Sequence, residues 1–580
     1  MLVIRSPENW SGWIVVSYEA VETDVLIVGA GGAGLRAAIE ASRYNVDVTI
    51  AGKEMLGKAH TVMAEGGYNA ALGNADPRDN YESHFRDTIE GGAWLNDQDL
   101  AEILVKEAPD RIFDLEEFGA VFDRTPDGKL AQRMFGKQSY PRTCYVSDYT
   151  GHEMVSALVD EVRRRGIKFM QEIFISKLLV NNGTMAGAVA IDVKSGDILV
   201  FRTKAAILAT GGAGRMYEVT TNPASATGDG RILAIDAGAE LTDMEMFQFH
   251  PTAMVWPPSC KGILVTEGVR GEGGMLFNVK GERFMEKYHK LLDLAPRDVI
   301  SRSIATEVLE GRGTTHGGVF LKVSHIPAEI IKDRLKTMHR QFSLAGVDIS
   351  KEPMEVAPAA HYYMGGVRTD VRCETKVKGL YAAGEEQGGV HGANRLGGNS
   401  IAATQVFGKI AGERAASFAK GRTKEQVNKD EIELELKRID KISRGEKYEF
   451  LPSQIRVELN RVTWENAGIF RTGDGLAKGL NDVERIDSKM LPKMGISDAG
   501  TRQYNKELAE ALETINLVRV AEILLRASIL RKESRGAHHR LDTPKTDNEN
   551  WLTHIVWHIE DKVLKHRFEP VALTKLKPPS

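Results

Sequence analysis

A chain of 580 residues is too long for one hydrophobic core, and its ordinary globular composition, 42% hydrophobic and 27% charged, implies several packed domains rather than disorder. With 76 Lys and Arg against 80 Asp and Glu the formal charge is −4, which excludes a general electrostatic drive toward nucleic acid or an anionic membrane surface. Three cysteines, Cys144, Cys260 and Cys373, stand far apart, so this chain alone cannot build a four-cysteine iron–sulfur cluster and they read as buried small hydrophobes in a reducing compartment.

The first 20 or so residues form a poorly patterned extension, in which Glu8, Glu19 and Glu22 interrupt every apolar run and leave no signal peptide. No later stretch reaches the ~18 apolar residues of a membrane span, so any membrane attachment is expected to come through a partner. Asp24-Val-Leu-Ile-Val28 is a short apolar strand ending in Gly29-Ala-Gly-Gly-Ala-Gly34, followed by an Ala-rich helix from Leu35 to Tyr44 and a second strand, Val46-Asp-Val-Thr-Ile50. That is a βαβ unit with its glycines at the strand-to-helix turn, the context a dinucleotide fingerprint requires. Further on, Ala205-Ala-Ile-Leu-Ala209 runs into Thr210-Gly-Gly-Ala-Gly214, and Gly379-Leu-Tyr-Ala-Ala383 into Gly384-Glu385. Three strand–glycine junctions so far apart predict one nucleotide-binding sheet assembled from distant segments, interrupted by an insertion at about 256–354 that carries a helix over Asp298–Leu309. After about residue 425 long charged amphipathic helices take over, with Leu508, Leu512, Ile515 and Val518 at core-packing spacing.

The chemistry-bearing residues fall in short motifs. At Gly29, Gly31 and Gly34 the backbone can approach a pyrophosphate at the helix N-terminus, where free N–H groups and the helix dipole favour negative charge. The acid expected after the second strand is replaced by Ala51-Gly52-Lys53, which argues against an ordinary NAD domain. Glu65-Gly66-Gly67 and Thr227-Gly-Asp-Gly230 are glycine-softened loops with one carboxylate each. In His391-Gly-Ala-Asn-Arg-Leu-Gly-Gly-Asn-Ser400 one cation, Arg395, stands among glycines, a planar fork suited to a carboxylate. Taken singly, each has a plain structural reading: a turn or helix-capping acid, a satisfied core histidine, or a surface ion pair of Arg297 with Asp298.

Together with Ala59-His-Thr-Val62, Gln248-Phe-His-Pro-Thr252 and Ala360-His-Tyr-Tyr-Met-Gly-Gly366, these motifs resemble the flavoprotein subunit of the succinate dehydrogenase and fumarate reductase family from about residue 22 to about 555. The resemblance implies an α/β fold: a discontinuous Rossmann-like FAD-binding domain (20–255 and 355–425), an inserted α+β capping domain (256–354), a C-terminal helical domain (426–540) and a terminal segment (541–580). It implies FAD held by Gly29, Gly31, Gly34, Lys53, His60, Thr61, Glu65, Gly66, Gly67, Asp229, Glu385, Ser400 and Ile401, with His60 at the position of covalent attachment to the flavin. Here Lys58-Ala59 precedes that histidine where the family has Arg-Ser. Fumarate or succinate is expected between Arg395 with His361 and His250 with Thr266. Arg297 is expected to transfer the proton, in a relay with Glu267 and Arg270, while hydride passes at the flavin N5. No metal site is expected in this chain. The resemblance further implies partnership with an iron–sulfur subunit, a membrane-anchor or thiol-oxidising subunit reached through it, no nucleic acid, and a cytoplasmic location or a peripheral one on the cytoplasmic membrane face. Glu65, where many dehydrogenases have Gln, leans toward fumarate reduction. The alternatives are L-aspartate oxidase, which shares fold and dicarboxylate clamp, and a noncatalytic FAD-binding subunit.

Overall fold

The computed structural model describes residues 18–444 and 448–579, so most of the N-terminal extension lies outside it. The extension ends sooner than expected: Tyr18–Glu22 is a strand, pairing in parallel with Ile198–Arg202 at the edge of a four-stranded sheet completed by Thr184–Asp192 and Ile173–Asn181.

The nucleotide-binding sheet forms from distant segments. Its five strands run, in spatial order, Leu380–Ala382, Ala205–Leu208, Val25–Val28, Val48–Gly52 and Lys168–Gln171, every pair parallel. The three inner strands are buried along their whole length, as continuous apolar runs covered on both faces must be. Helix Gly32–Ala41, buried throughout, crosses one face. Helix Asn399–Ala419 lies against it closely enough that a Cβ on Gly412 would strike the Ala37 carbonyl. Residues from both ends of this half of the molecule therefore build one layer. Buried Cys144 and Cys373 belong to the same core, and burial pushes both thiols up.

The insertion is carried on two long antiparallel strands, Phe247–Met254 and Met354–Tyr363, which with Val319–Lys322 and Met275–Phe277 make a second four-stranded sheet. Their pairing slips at Gln248/Phe249 and again between His250 and Ala253, irregularities of the kind that re-aim side chains. The helix expected from Asp298 begins one residue earlier, at Arg297, and ends at Glu307 before a wider turn containing Gly311. Its apolar face, with Ile300 and Ile304, belongs to a core separate from that of the nucleotide sheet.

Helices Lys429–Ser443, Pro452–Asn466, Gly473–Arg485 and Lys506–Leu530 follow. In the last, Leu512 and Val518 are buried while Leu508 and Ile515 are only half-buried. The final strands, Thr553–Glu560 and Val563–Pro570, pair antiparallel, and the first of them also pairs with Leu241–Thr242. Among the described residues no helix is long and apolar enough to cross a membrane.

Candidate functional site

One cavity, about 1550 Å3 of empty space including its open mouth, starts at the C-terminal ends of the parallel strands and runs beneath the inserted sheet. Such strand ends are where open α/β sheets bind ligands. Gly29 has φ +115°, and a Cβ there would strike the Ala209 carbonyl, so the turn into the next helix requires glycine. Gly31, at that helix's N-cap, makes no side-chain cap hydrogen bond, and the Gly32 N–H is held by Thr61 Oγ1 at 3.2 Å. The cradle suits a pyrophosphate: glycine backbone at a helix N-terminus, with the Thr61 hydroxyl at its edge.

One arm of the cavity is lined by Gly52, Lys53, Glu54, Ile173, Phe174, Ile175 and Asp229. Lys53 Nζ donates to Thr227 Oγ1 and Asp229 Oδ2, both at 2.7 Å, and meets Glu513 Oε1 at 2.6 Å. Burial works against its charge, but the two carboxylates outweigh it and raise the lysine's pKa.

The other arm is lined by His60, Thr61, Glu65, Gly66, Gly67, Glu385, Ser400 and Ile401. His60 Nδ1 stands 3.6 Å from Glu385 Oε2. Glu65 is buried with Oε2 unpartnered, and burial followed by the charge of Asp148 raises its carboxyl well above the usual range. Arg133 donates to the Gly66 carbonyl and so fixes that glycine pair.

At the far end of this arm the cavity becomes cationic. Arg297, only 7% exposed, donates from Nε and Nη2 to Glu267 Oε2 at 2.8 and 2.6 Å and from Nη1 to Gln248 Oε1 at 3.2 Å. The alternative, a surface pair with Asp298, does not form: Asp298 takes Arg302 and Asn394 instead. Glu267 also accepts from the Gly136 N–H at 2.9 Å, and Arg270 Nη2 lies 3.8 Å from its Oε1. Desolvation alone would raise the Glu267 carboxyl, but Arg297 and Arg270 hold it at about 2. Arg395 stacks 4.4 Å over Tyr362 and donates to Ser400 Oγ, and burial, then the charge of Arg297, lowers it to about 9. The rings of His250 and His361 are 4.9 Å apart, with His361 5.7 Å from His60. Each commits Nδ1 to a neighbour, His250 to Thr252 and His361 to Thr221 Oγ1 at 2.7 Å. Burial first, and then nearby cations, lowers both well below 6.5. In this site the formal charge comes from the arginines, and the imidazoles offer hydrogen bonds.

Of the residues singled out from sequence, all but two line this cavity. Gly34 lies behind the turn, where a Cβ would strike the Gly29 carbonyl, and Arg270 stands behind Glu267, fully buried. Thr266 lines it while its hydroxyl also accepts from the Gly268 N–H at 3.3 Å. Several contributors had not been assigned. Gln248 bridges Arg297 to the Arg395 carbonyl, Tyr362 backs the Arg395 fork, Thr221 holds His361, and Glu513 and Asn516 reach the opposite arm from a distant helix. Gln248 and Tyr362 sat inside the quoted motifs, whereas nothing local marks the others.

Residues 24–401 match the model of the FAD binding domain, and residues 456–580 that of the fumarate reductase flavoprotein C-terminus. The chain is 49% identical to a fumarate reductase (CoM/CoB) subunit of Methanothermobacter marburgensis over 93% of its own length and 97% of that protein. It is 39% identical to the mitochondrial succinate dehydrogenase (ubiquinone) flavoprotein subunit of Oryza sativa subsp. japonica, covering 97% and 92%. Among solved structures, the FrdA chain of an E. coli quinol fumarate reductase variant superposes with a TM-score of 0.91 at 35% identity, covering 97% of this chain and 99% of that one.

Proposed function

The chain belongs to the succinate dehydrogenase and fumarate reductase flavoprotein family as an FAD-dependent oxidoreductase, and from that premise we propose that it interconverts fumarate and succinate. One observation carries the reading: Arg395, His250, His361 and the Arg297–Glu267 pair meet in the cavity that begins at the dinucleotide cradle. A dicarboxylate brought out of water needs compensating charge and donors on both ends. Arg395 with His361 supplies them for one carboxylate, and His250 with Thr266 for the other. FAD, when bound, would supply the hydride in its reduced form and accept it in its oxidised form.

Arg297 is the proton carrier. A guanidinium gives up a proton only under unusual constraint. Here three buried arginines crowd one carboxylate's surroundings, and burial lowers Arg270 as it lowers Arg395. Glu267, bonded to two Arg297 nitrogens, orients the donor and returns its proton from the Arg270 side. His60 lies at the flavin arm and is the residue that would bond the flavin. Yellow colour retained by acid-precipitated protein and lost in His60→Ser would support that bond.

Fumarate reduction is the favoured direction, with electrons from an iron–sulfur or thiol-oxidising companion. Glu65 and the CoM/CoB named in the 49% identical relative support it. The test is Arg297→Lys assayed for fumarate reduction with a reduced viologen dye. Turnover should fall by at least about a hundredfold with FAD retained, and unchanged turnover removes the acid assignment.

A further inference from the structure

In a Rossmann-type unit the nucleoside ribose sits at the end of the second strand, where an acid normally holds its hydroxyls and a cation accommodates a 2′-phosphate. Here the second strand, Val48–Gly52, is followed directly by Lys53. A lone lysine there would suit a phosphorylated ribose. This one is not alone. Asp229 Oδ2 and Glu513 Oε1 take its ammonium at 2.7 and 2.6 Å. The other Glu513 oxygen is held by Arg456 Nη2 at 2.7 Å, and Arg456 Nε is anchored on Thr514 Oγ1 at 2.8 Å. Asn516 donates to the remaining Asp229 oxygen at 2.8 Å. Charges alternate along this chain from Arg456 to Glu513, Lys53 and Asp229, and Arg456 is shared with Glu510 at 3.6 Å, so no positive charge is left over. Lys53 thus presents no uncompensated charge to the arm, while Asp229, whose Oδ2 takes Lys53 and Thr227, is left oriented with an Oδ1 lone pair beside the Asn516 contact for a hydroxyl donor.

Glu513, Thr514 and Asn516 all lie on helix Lys506–Leu530, far from the nucleotide sheet in sequence. We propose that Glu513 and Asn516 are positioning residues of the nucleoside end of the FAD site: Asn516 orients Asp229 toward an unphosphorylated adenosine ribose, and Glu513, by compensating Lys53, makes the site reject a 2′-phosphorylated one. The helical region thereby replaces, from a distance, the acid that the second strand lacks. The proposal rests on FAD binding and not on the dicarboxylate chemistry, so the two fail separately.

The test uses the full chain carrying His60→Ser, which keeps FAD exchangeable, and reads FAD affinity by quenching of its fluorescence. Competition by ADP and by adenosine 2′,5′-bisphosphate measures the discrimination. Glu513→Gln should weaken FAD about tenfold, the size of one charge-assisted hydrogen bond, and narrow the gap between the two competitors by a similar factor. On a Lys53→Gln background the same substitution should change either quantity by less than about twofold, because the effect passes through the lysine. Asn516→Ala should weaken FAD about threefold and leave the gap intact. A gap unmoved by Glu513→Gln, or its full effect persisting without Lys53, would reduce these contacts to a strut between domains and overturn the proposal. Should Glu513→Gln fail to fold, unaltered FAD affinity in Asn516→Ala overturns it equally, and the threefold loss supports it.

Discussion

Glu267→Gln keeps the shape of the side chain and deletes the charge between Arg297 and Arg270. The carboxyl is displaced from 4.5 to about 2, which at 1.36 kcal/mol per pH unit makes its ionised form worth about 3 kcal/mol to the folded state. Because that pKa is depressed, the stabilisation is complete above about pH 4.5 and fades as pH falls toward 2. The urea midpoint of the variant should therefore lie below that of the parent at pH 7, and the two should converge in acid. Catalysis should suffer more selectively. Among the described residues Glu267 is the one carboxylate paired with Arg297, so its loss leaves the donor without a source of replacement protons. With FAD content matched and a reduced viologen dye as electron donor, kcat for fumarate should fall at least about a hundredfold. KM should stay within about threefold, because Arg395, His250 and His361 are untouched. A kcat within threefold of the parent, or a KM rise at constant kcat, would refute the relay and leave Glu267 as a binding or structural group.

Three further outcomes follow from the geometry. A Cβ added by Gly397→Ala would strike Glu267 Oε2 and stand 2.9 Å from Phe135 and 3.1 Å from Arg297 Nη2. It should cost about tenfold or more in kcat while FAD content is unchanged, and full activity would show the relay to be tolerant of displacement. Asp148, fully buried, accepts the Thr337 and Met338 N–H groups at 2.8 and 2.9 Å and so caps helix Lys336–Leu344 from outside the insertion. Asp148→Ala should cost about 1–2 kcal/mol and speed tryptic cleavage within 328–344, and cleavage at the parental rate would contradict the latch. Finally, His250 and His361 titrate well below 6.5, so neither changes charge between pH 6 and 8. A step in kcat/KM near 6.5 that disappears in His361→Gln would show an imidazolium in the free enzyme.

What the sequence makes legible is what short-range chemistry writes into it. The three strand–glycine junctions announce the parallel sheet because buried strands read as continuous apolar runs and tight turns demand glycine. His250, His361, Arg297 and Arg395 are visible because each sits in a compact motif. The pairing of Tyr18–Glu22 with Ile198–Arg202 is not visible, because a short edge strand exposed along most of its length carries little hydrophobic pattern. Glu513 is hidden for a different reason. It lies on a helix whose apolar stripe packs the core, and a charged residue beside such a stripe looks like any solvated helix face. Only the fold shows that this face meets Lys53. The neutrality of the two histidines likewise depends on burial and surrounding arginines that no local window contains.

The helix Asn399–Ala419, docked on the cradle helix through Gly412, has a consequence for the order of events during synthesis. A ribosome that has delivered the first 370 residues has released the phosphate turn, yet neither the outermost strand Leu380–Ala382 nor this covering helix has left the exit tunnel. The anchors at Glu513 and Asn516 emerge later still. Cofactor capture is therefore expected late in synthesis, once this helix has emerged, and nascent chains arrested before about residue 400 should emerge colourless.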